Sequence, residues 1–359
     1  MTTLTTAIRN GRPPHMRNGI VRHLRRLIVT GKLVPGDQLP TYIELQAQFS
    51  AEAETVRDAI GELQQANFIE TKPRRGTFVV PHPPHLSEFA MVFPMADYEE
   101  HSRFFAALRH EVLKRQAPGR RVTAFSGVES HVDVEDYQRL LGLVQTDRLA
   151  GLIFASNPHE LQRIKSPLVR KPGVLRVAIM MPFPGNPFPT VYPDIDSFLP
   201  RAFDDLASRG RKRVAVLMLG VHPTASIETV QALAAERGLI FRPHWLQAAS
   251  ADTPNWTRQT ALALLHQAQT ERPDAVIITD DNLVEAFTEG IRDTGLSASD
   301  LDVVAQANFP YPTLSHVPAK RLGYDISRLM AVCLERIEQQ RRGESVPAHT
   351  AIPVEFAEK

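Results

Sequence analysis

The stretch from residue 20 to residue 41, IVRHLRRLIVTGKLVPGDQLPT, predicts how the chain begins to fold. Four apolar residues recur at i, i+4, i+7 and i+8, so they share one face of a helix over about residues 15 to 30. These residues are Ile20, Leu24, Leu27 and Ile28. A turn rich in glycine and proline follows, and Thr41 is placed to cap a second, short helix.

Downstream of this stretch, the pattern predicts a third helix after Ser50 and then a hairpin. The helix has an apolar inner face and a polar outer face that holds Thr55 and Arg57. Two β-type runs, residues 68–71 and 77–80, surround the basic sequence KPRRG, which predicts a hairpin with a charged tip. Three helices followed by a two-stranded wing indicate a winged helix-turn-helix.

The composition of the chain excludes several classes of protein. The chain has 359 residues, of which 43% are hydrophobic and 23% charged, so it is expected to fold as two or three globular domains. The single cysteine, Cys333, excludes an intrachain disulfide and fits a reducing compartment. The sequence shows neither a secretory leader nor a run of about 18 apolar residues, so we expect a cytoplasmic protein without a membrane segment.

Charge is distributed unevenly along the chain. Residues 1–80 carry 11 Lys and Arg against 7 Asp and Glu, a balance of +4, whereas the remainder carries 30 and 33, a balance of −3. A locally basic segment favours contact with nucleic acid. The proline-rich residues 81–86 predict a semi-rigid linker that continues neither helix nor strand. We therefore expect a DNA-binding domain at 1–80, a linker at 81–86 and a second domain at 87–359.

The second domain alternates strand-like and helix-like segments. This alternation predicts an α/β fold with doubly wound parallel sheets, and the number of strands favours two lobes over one sheet. A further short strand is expected at about residues 351–354. The other predicted strands are residues 89–93, 121–125, 151–155, 174–180, 213–219, 239–242, 275–279 and 302–306.

Three motifs of the first domain resemble the DNA-binding domain of the GntR family of bacterial regulators. They are GKLVPGDQLPT at residues 31–41, TVRDAI at 55–60 and RGTFV at 75–79. The resemblance implies that Arg57 and Gly76 contact operator DNA. Ile43 and Ala53 stand where the family usually has arginines, which implies an operator unlike the usual half-site or a greater dependence on phosphate contacts.

Several residues of the first domain are candidate contacts to double-stranded DNA. Phosphates are bound by arginines and backbone N–H groups, and base edges are read by polar side chains of a helix in the major groove. Glu52 and Glu54 would repel phosphate, although they suit the positive end of a helix dipole. A basic surface can also be only a solvated face. The candidates are Arg17, Thr41, Thr55, Arg57, Arg74, Arg75 and Gly76.

The second domain resembles the LacI and periplasmic sugar-binding family. The resemblance rests on YPD at residues 192–194 with the helix and strand that follow, on RPDAVIITDDN at 272–282, and on residues 323–343 before a terminal strand. A GntR-type head on such a domain also resembles the arabinose-type repressors. The resemblance implies a two-lobed periplasmic-binding-protein-like domain that binds a sugar-like effector. The arginine usual after the first strand of the second lobe is absent from residues 219–226.

Candidate effector contacts are expected between the lobes, where parallel strands end. Carboxylates and amides bind paired hydroxyls of a sugar, and aromatic rings cover its C–H face. Each candidate also has a structural alternative: Asp281 can cap a helix, Trp256 can belong to the core, Asp194 can form a turn, and the phenylalanines can pack at a hinge. The candidates are Phe93, Asp194, Trp256, Asp281, Asn308 and Phe309.

No sequence motif indicates catalysis, so we expect no enzyme activity and no cofactor. His82 and His85 lack partner ligands, so we also expect no metal site. The combined features predict a homodimeric, ligand-responsive transcriptional repressor. The alternative is a DNA-binding regulator whose second domain is only a dimerisation scaffold. A transport receptor or an enzyme is disfavoured, since leader and catalytic motifs are both lacking.

Overall fold

The computed structural model describes residues 14–96, 102–129, 134–183, 186–220, 225–266 and 271–357. The chain begins with a head of three helices and a two-stranded antiparallel wing, which confirms the predicted winged helix-turn-helix. Its elements are α1 (Pro14–Val29), α2 (Tyr42–Phe49), α3 (Ala53–Gln65), β1 (Ile69–Lys72) and β2 (Gly76–Val79).

The predicted cap of α2 is confirmed by its hydrogen bonds. The Thr41 hydroxyl accepts from the backbone N–H of Glu44 at 3.3 Å, and the Glu44 carboxylate accepts from the backbone N–H of Thr41 at 2.7 Å. This reciprocal pair satisfies two of the N–H groups that a helix start leaves unpaired. The predicted stripe of α1 is also in the core: Ile20 and Leu24 are fully buried against α3 residues such as Val56 and Leu63.

The proline-rich segment after the wing is packed and contains a helical turn, α4 (Pro84–Ser87). The strand β2 ends at Val79, before this segment, and a new helical turn begins inside it, because a proline in the first helical turn gives up no intrahelical hydrogen bond. The Ser87 hydroxyl donates to the carbonyls of His82 and Pro83 at 3.1 and 3.0 Å. The His85 ring stacks on Phe68 of the head at 5.9 Å between centroids.

The first lobe is built on a six-stranded sheet whose strands are all parallel, in the order β13-β7-β6-β5-β3-β4. Its strands are β3 (Glu88–Val92), β4 (Arg121–Phe125), β5 (Gly151–Phe154), β6 (Arg176–Ile179), β7 (Thr190–Pro193) and β13 (His349–Ile352). Its helices are α5 (Arg103–Lys114), α6 (Glu135–Gln145), α7 (His159–Arg163), α8 (Pro167–Arg170) and α13 (Ile326–Arg341).

The second lobe has another six-stranded sheet, in the order β14-β12-β11-β10-β8-β9, with only the edge strand β14 antiparallel. Its strands are β8 (Val214–Leu219), β9 (Leu246–Ala249), β10 (Ala275–Ile278), β11 (Asp302–Phe309), β12 (Lys320–Asp325) and β14 (Val354–Phe356). Its helices are α9 (Phe198–Ser208), α10 (Ile227–Ala235), α11 (Pro254–Leu264) and α12 (Val284–Asp293). The predicted pair of parallel lobes is confirmed.

Two strand predictions differ from the structure. Residues 239–242 form no strand, since only Ile240 bridges to Arg213 and the edge strand β9 begins later at Leu246. The terminal strand expected at residues 351–354 is two strands in different lobes, because Pro353 separates β13 from β14. The sequence prediction also missed β7, β9 and β12.

The described chain passes between the lobes at residues 194–197, at 325–326 and at Pro353. The carboxyl ends of parallel strands from both sheets consequently face one interlobe cleft, as expected for doubly wound sheets. In the sheet of the second lobe, the backbones of β11 and β12 approach closely at Gly323, where an added Cβ would lie 1.7 Å from the Ala307 carbonyl oxygen. Within the described ranges, no helix combines the length and the apolar character that a bilayer crossing requires.

Candidate DNA-binding surface and interlobe cleft

The head presents most of its candidate DNA contacts to solvent. Arg57 is exposed on α3, and Arg74 and Arg75 are exposed at the tip of the wing. Thr41 is exposed at the start of α2. Arg17 is exposed on α1, where its Nε lies 3.6 Å from the Glu62 carboxylate.

The wing tip is held by the turn that precedes α2. The backbone N–H of Leu39 donates to the Thr77 carbonyl at 2.8 Å, and the Gln38 side chain donates to the Arg75 carbonyl at 3.3 Å. Gly76 has φ +111°, and a Cβ there would meet the Gln38 side chain at 2.5 Å. The positive φ therefore favours glycine at this position. The local backbone conformation accounts for Gly76 whether or not it contacts DNA.

Thr55 does not lie where the sequence pattern placed it. Its side chain is on the inner side of α3 with only 9% of the residue exposed, so the prediction of an outward-facing DNA contact is wrong. The reason is helical spacing: Thr55 precedes the buried Ala59 by four residues and shares its face. Ile43, in contrast, is 77% exposed on α2.

The interlobe cleft has a volume of about 890 Å³ and is bounded by strand ends of both lobes. Ile179 and Pro193 contribute from the first sheet, and Leu219 and Thr279 from the second. Of the predicted effector contacts, Asp281 and Asn308 line this cleft. These two residues come from the ends of the neighbouring strands β10 and β11, where effector contacts were expected.

Asp281 and Asn308 belong to a buried polar network at the cleft. The Asn308 amide donates to the Asp281 carboxylate at 2.5 Å, and its own oxygen accepts from the Gln306 amide at 3.2 Å. The Gln306 oxygen in turn accepts from the backbone N–H of Asp281 at 2.8 Å. Burial, followed by the charge of Asp280, raises the pKa of Asp281 to about 7. This carboxyl group therefore changes its charge near neutral pH.

One rim of the cleft already joins the two lobes. Asp280 accepts hydrogen bonds from the backbone and side chain of Asn282 at 3.0 and 2.7 Å. The Asn282 oxygen then accepts from the backbone N–H of Arg103, at the start of α5 in the first lobe, at 2.8 Å. The Arg103 side chain also pairs with Glu285 at 3.1 Å. The second-lobe strand end and the first-lobe helix are thus directly connected.

The aromatic wall of the cleft is formed by residues that the sequence analysis did not select. Phe104 and Phe105 reach it from α5, and Phe198 and Tyr324 from the second lobe. The clue available in the sequence was the pair of phenylalanines at the predicted start of a first-lobe helix, where a helix begins just beyond a strand end. Tyr324 ends a strand that the sequence analysis missed.

The other predicted effector contacts lie outside the described cleft wall. Phe93 is buried behind it, with its ring against Phe105 at 6.0 Å between centroids. Asp194 accepts a 2.5 Å hydrogen bond from Ser197 in the crossover, which matches the turn-forming alternative. Trp256 is 72% exposed and lines a separate groove of about 280 Å³ on the second lobe. Phe309 is half-buried at the end of β11 and is not part of the wall.

Comparison with known families agrees with both halves of this geometry. Residues 16–79 match the family model of bacterial regulatory proteins of the gntR family, and residues 203–353 match that of the periplasmic binding protein-like domain. The chain thus joins a head that matches the gntR regulatory family to a periplasmic-binding-protein-like domain.

The curated proteins that this chain resembles include two repressors of sugar metabolism systems. It is 24% identical over 345 residues to the arabinose metabolism transcriptional repressor of Geobacillus stearothermophilus, covering 89% of this chain and 91% of that protein. It is 38% identical over 60 residues to the mannosyl-D-glycerate transport/metabolism system repressor of Escherichia coli, covering 17% of this chain and 25% of that one. The second match is confined to a short segment.

Solved structures with the same fold include LacI-family regulators that contain sugars. One is the Lactobacillus casei regulator with bound glucose, at a TM-score of 0.53 and 16% identity, covering 76% of this chain and 99% of that one. Another is the Arthrobacter regulator in complex with lactose, at a TM-score of 0.57 and 16% identity, covering 76% of this chain and 97% of that one. At this identity the likeness establishes the fold of the effector domain.

Proposed function

We propose that this protein is a homodimeric repressor whose affinity for operator DNA changes when a sugar or sugar derivative binds in the interlobe cleft. The division into a DNA-binding domain at 1–80, a joint at 81–86 and an effector domain at 87–359 is part of the proposal. The protein would act in the cytoplasm, where bacterial operator DNA is found.

The observation that carries this proposal is the hydrogen-bonded pair of Asp281 and Asn308 beside an open cleft. Small-molecule sites are typically concave, of about 300–1,000 Å³, with a few fixed polar groups among apolar ones. A carboxylate and an amide can bind neighbouring sugar hydroxyls, and the rings of Phe104, Phe105 and Phe198 can cover the C–H face of a sugar. The open space favours this function over a dimerisation scaffold without a ligand.

The packed joint supports coupling between the cleft and the head. The helical turn α4 leads directly into β3, an inner strand of the first-lobe sheet next to the edge strand β4, while His85 stacks on Phe68 of the head. Val29 of α1 lines a cavity of about 250 Å³ together with first-lobe residues such as Leu149. A rearrangement of the lobes would therefore move the head, provided that the ligand binds the two arrangements with different affinity.

The proposed DNA contacts are the exposed candidates of the head. Arg57 would read the major groove from α3, and Arg74 and Arg75 would bind phosphates or the minor groove from the wing. A dimer held by the effector domains would place two heads on a two-fold-symmetric operator. The full proposed set is Arg17, Thr41, Arg57, Arg74, Arg75 and Gly76.

The proposal is tested by selecting an operator from random DNA and measuring binding by fluorescence anisotropy with and without neutral sugars, including arabinose, glucose and lactose. We expect at least one sugar to change the operator dissociation constant about tenfold. The variant Asn308→Ala should keep operator affinity and lose the response to the sugar, whereas Arg57→Ala should lose operator affinity and keep sugar binding. A full sugar panel without any effect would support the scaffold alternative instead.

A further inference from the structure

The charged residues that line the cleft in the described part of the chain are all acidic. Four carboxylates line the cleft, and among the described lining residues there is no lysine, arginine or histidine. More than half of the other lining residues are apolar. Burial raises the pKa of Asp280 and raises that of Asp281 to about 7, so part of this negative charge is lost near neutral pH. An anionic ligand would still meet carboxylates and no cation among the described lining residues. The four carboxylates are Asp196, Asp252, Asp280 and Asp281.

The arginines nearest to Asp281 do not change the sign of this wall. The charge of Arg103 partly opposes the rise in the pKa of Asp281. Burial lowers the pKa of Arg321, and the charge of Asp281 partly opposes that change. Arg103 is engaged by Glu285 at the rim, and Arg321 donates to the carbonyl of Thr313 at 2.5 Å. Neither arginine is part of the described cleft wall.

Tyr324 provides an independent sign of a ligand. It is only 5% exposed and lines the cleft, yet within the described parts of the chain its hydroxyl has no hydrogen-bond partner. The hydroxyl itself is open to the cleft rather than enclosed, so it is available to donate a hydrogen bond to a ligand there. Burial, followed by the charges of Asp194, Asp196 and Asp280, raises the pKa of Tyr324, and two of these carboxylates, Asp196 and Asp280, line the same cleft as Tyr324.

The carboxylates near Tyr324 retain capacity to accept hydrogen bonds. Asp280 uses Oδ1 for both of its hydrogen bonds with Asn282. Asp196 is exposed, and no ion pair neutralises it among the described residues. The Tyr324 hydroxyl, Asp196 and Asp280 thus offer one donor and several acceptors to a ligand in the cleft that all three residues line.

Resting on the proposed function, we propose that the effector carries no anionic group and binds through hydroxyl or ammonium donors to Tyr324, Asp196 and Asp280. The cleft would accept a neutral or aminated sugar and reject its phosphate ester or its acid. The same cluster would favour the aminated form, because an ammonium group adds an attractive charge at the position where a phosphate would be repelled.

Matched sugars test this specificity on the full-length protein. Isothermal titration calorimetry would compare glucose, glucosamine, glucose 6-phosphate and glucuronic acid, and the corresponding galactose set, with arabinose and lactose as further neutral probes. We expect neutral and aminated members to bind at least tenfold more tightly than the anionic members of their set. Tighter binding of a phosphate or acid would overturn the inference.

Two variants connect the specificity to the named residues. Tyr324→Phe removes one hydroxyl and leaves the ring in place, so we expect about tenfold weaker binding of the best sugar with an unchanged melting temperature. Asp196→Lys should reduce the discrimination against anionic sugars about tenfold or more. The control Asp204→Lys adds the same charge at a 62% exposed site outside the cleft and should leave the ranking unchanged. Equal affinities in Tyr324→Phe and the unmodified protein would contradict the proposed contact.

Failure of the inference can be distinguished from failure of the proposed function. An anionic sugar that binds the cleft and changes operator affinity would overturn the inference and leave the ligand-responsive repressor standing. A panel in which no sugar of any charge binds would overturn both. A neutral or aminated sugar that binds in the cleft without an effect on operator affinity would retain the inferred specificity and overturn the proposed response.

Discussion

The head and the interlobe cleft place their polar residues in opposite ways. In the head, the arginines among the candidate DNA contacts are exposed, and they are carried by elements that are close in sequence. In the cleft, Asp281 and Asn308 are 2% exposed, carry acid and amide groups, and come from separate strand ends. A duplex is recognised from outside by long cations, whereas a small ligand must be surrounded by fixed groups. The two regions should therefore respond differently to substitution.

The largest expected effect is the loss of the effector fold in Gly323→Ala. A Cβ at this position would collide with the backbone of Ala307 at 1.7 Å, and backbone in a paired strand cannot move aside. We expect destabilisation of more than about 3 kcal/mol and loss of the effector-domain transition in a thermal melt. Gly142→Ala is the control, because its Cβ meets nothing within 4 Å on helix α6, and it should be neutral or more stable.

Removal of the basic head residues should affect only DNA binding. Arg57→Ala should weaken operator binding by about 1–3 kcal/mol if the side chain contacts a base. Arg74→Ala combined with Arg75→Ala should weaken binding to all DNA and reduce the salt slope by about 2, measured by anisotropy between low and moderate salt. Sugar affinity should stay the same in both variants. Unchanged operator affinity in both variants would refute the assignment of the DNA-binding surface.

At the cleft, the expected effect is a pH dependence of the free energy of unfolding. The pKa of Asp281 is raised to about 7, so the folded state holds a proton that the unfolded state has released above about pH 4. The stability that this bound proton contributes is fully present below about pH 4 and is lost as the pH rises to and through about 7. Between pH 5 and 7.5, the free energy of unfolding should fall by about 2 kcal/mol more in the unmodified protein than in Asp281→Asn. Urea titrations at the two pH values measure this difference. An equal fall in the free energy of unfolding in both proteins would contradict the prediction.

The smallest effect is expected at the ion pair between the lobes. Arg103 and Glu285 are 54% and 45% exposed, so solvent screens their attraction. Glu285→Gln should change stability by less than about 1 kcal/mol and shift sugar affinity by about fivefold at most. Calorimetry of the variant measures this shift. A loss of binding beyond tenfold would show that the pair contributes more to lobe closure than an exposed contact should.

The head could be predicted in detail because its signals are local. The stripe in α1, the Thr41 cap and the wing each depend on residues within a few turns of one another. Thr55 was the exception, since a threonine can occupy the margin of an apolar face and only the packing of α3 shows on which side it lies. A polar residue type alone does not establish exposure.

The cleft could be predicted only in part because distant strands assemble it. Asp281 and Asn308 follow or end buried strands, which the sequence pattern located. Tyr324 was missed because β12 begins with Lys320 and Arg321 and contains Gly323, so its sequence lacks a continuous apolar run. Trp256 was selected for its residue type, but it projects into solvent from α11. Which side chain faces a cleft depends on the orientation of each element after packing.

In the proposed homodimer, the packed turn at Pro84–Ser87 would restrict the spacing of operator half-sites. A flexible tether would let each head search for its half-site independently, and binding would tolerate half-sites at variable separation. A head seated on its lobe by the Phe68 and His85 rings loses little freedom when it binds DNA, but it can reach only a narrow set of positions. Insertion of five base pairs at the centre of an operator would turn one half-site to the opposite side of the duplex. Such a rotation should be tolerated poorly by this protein.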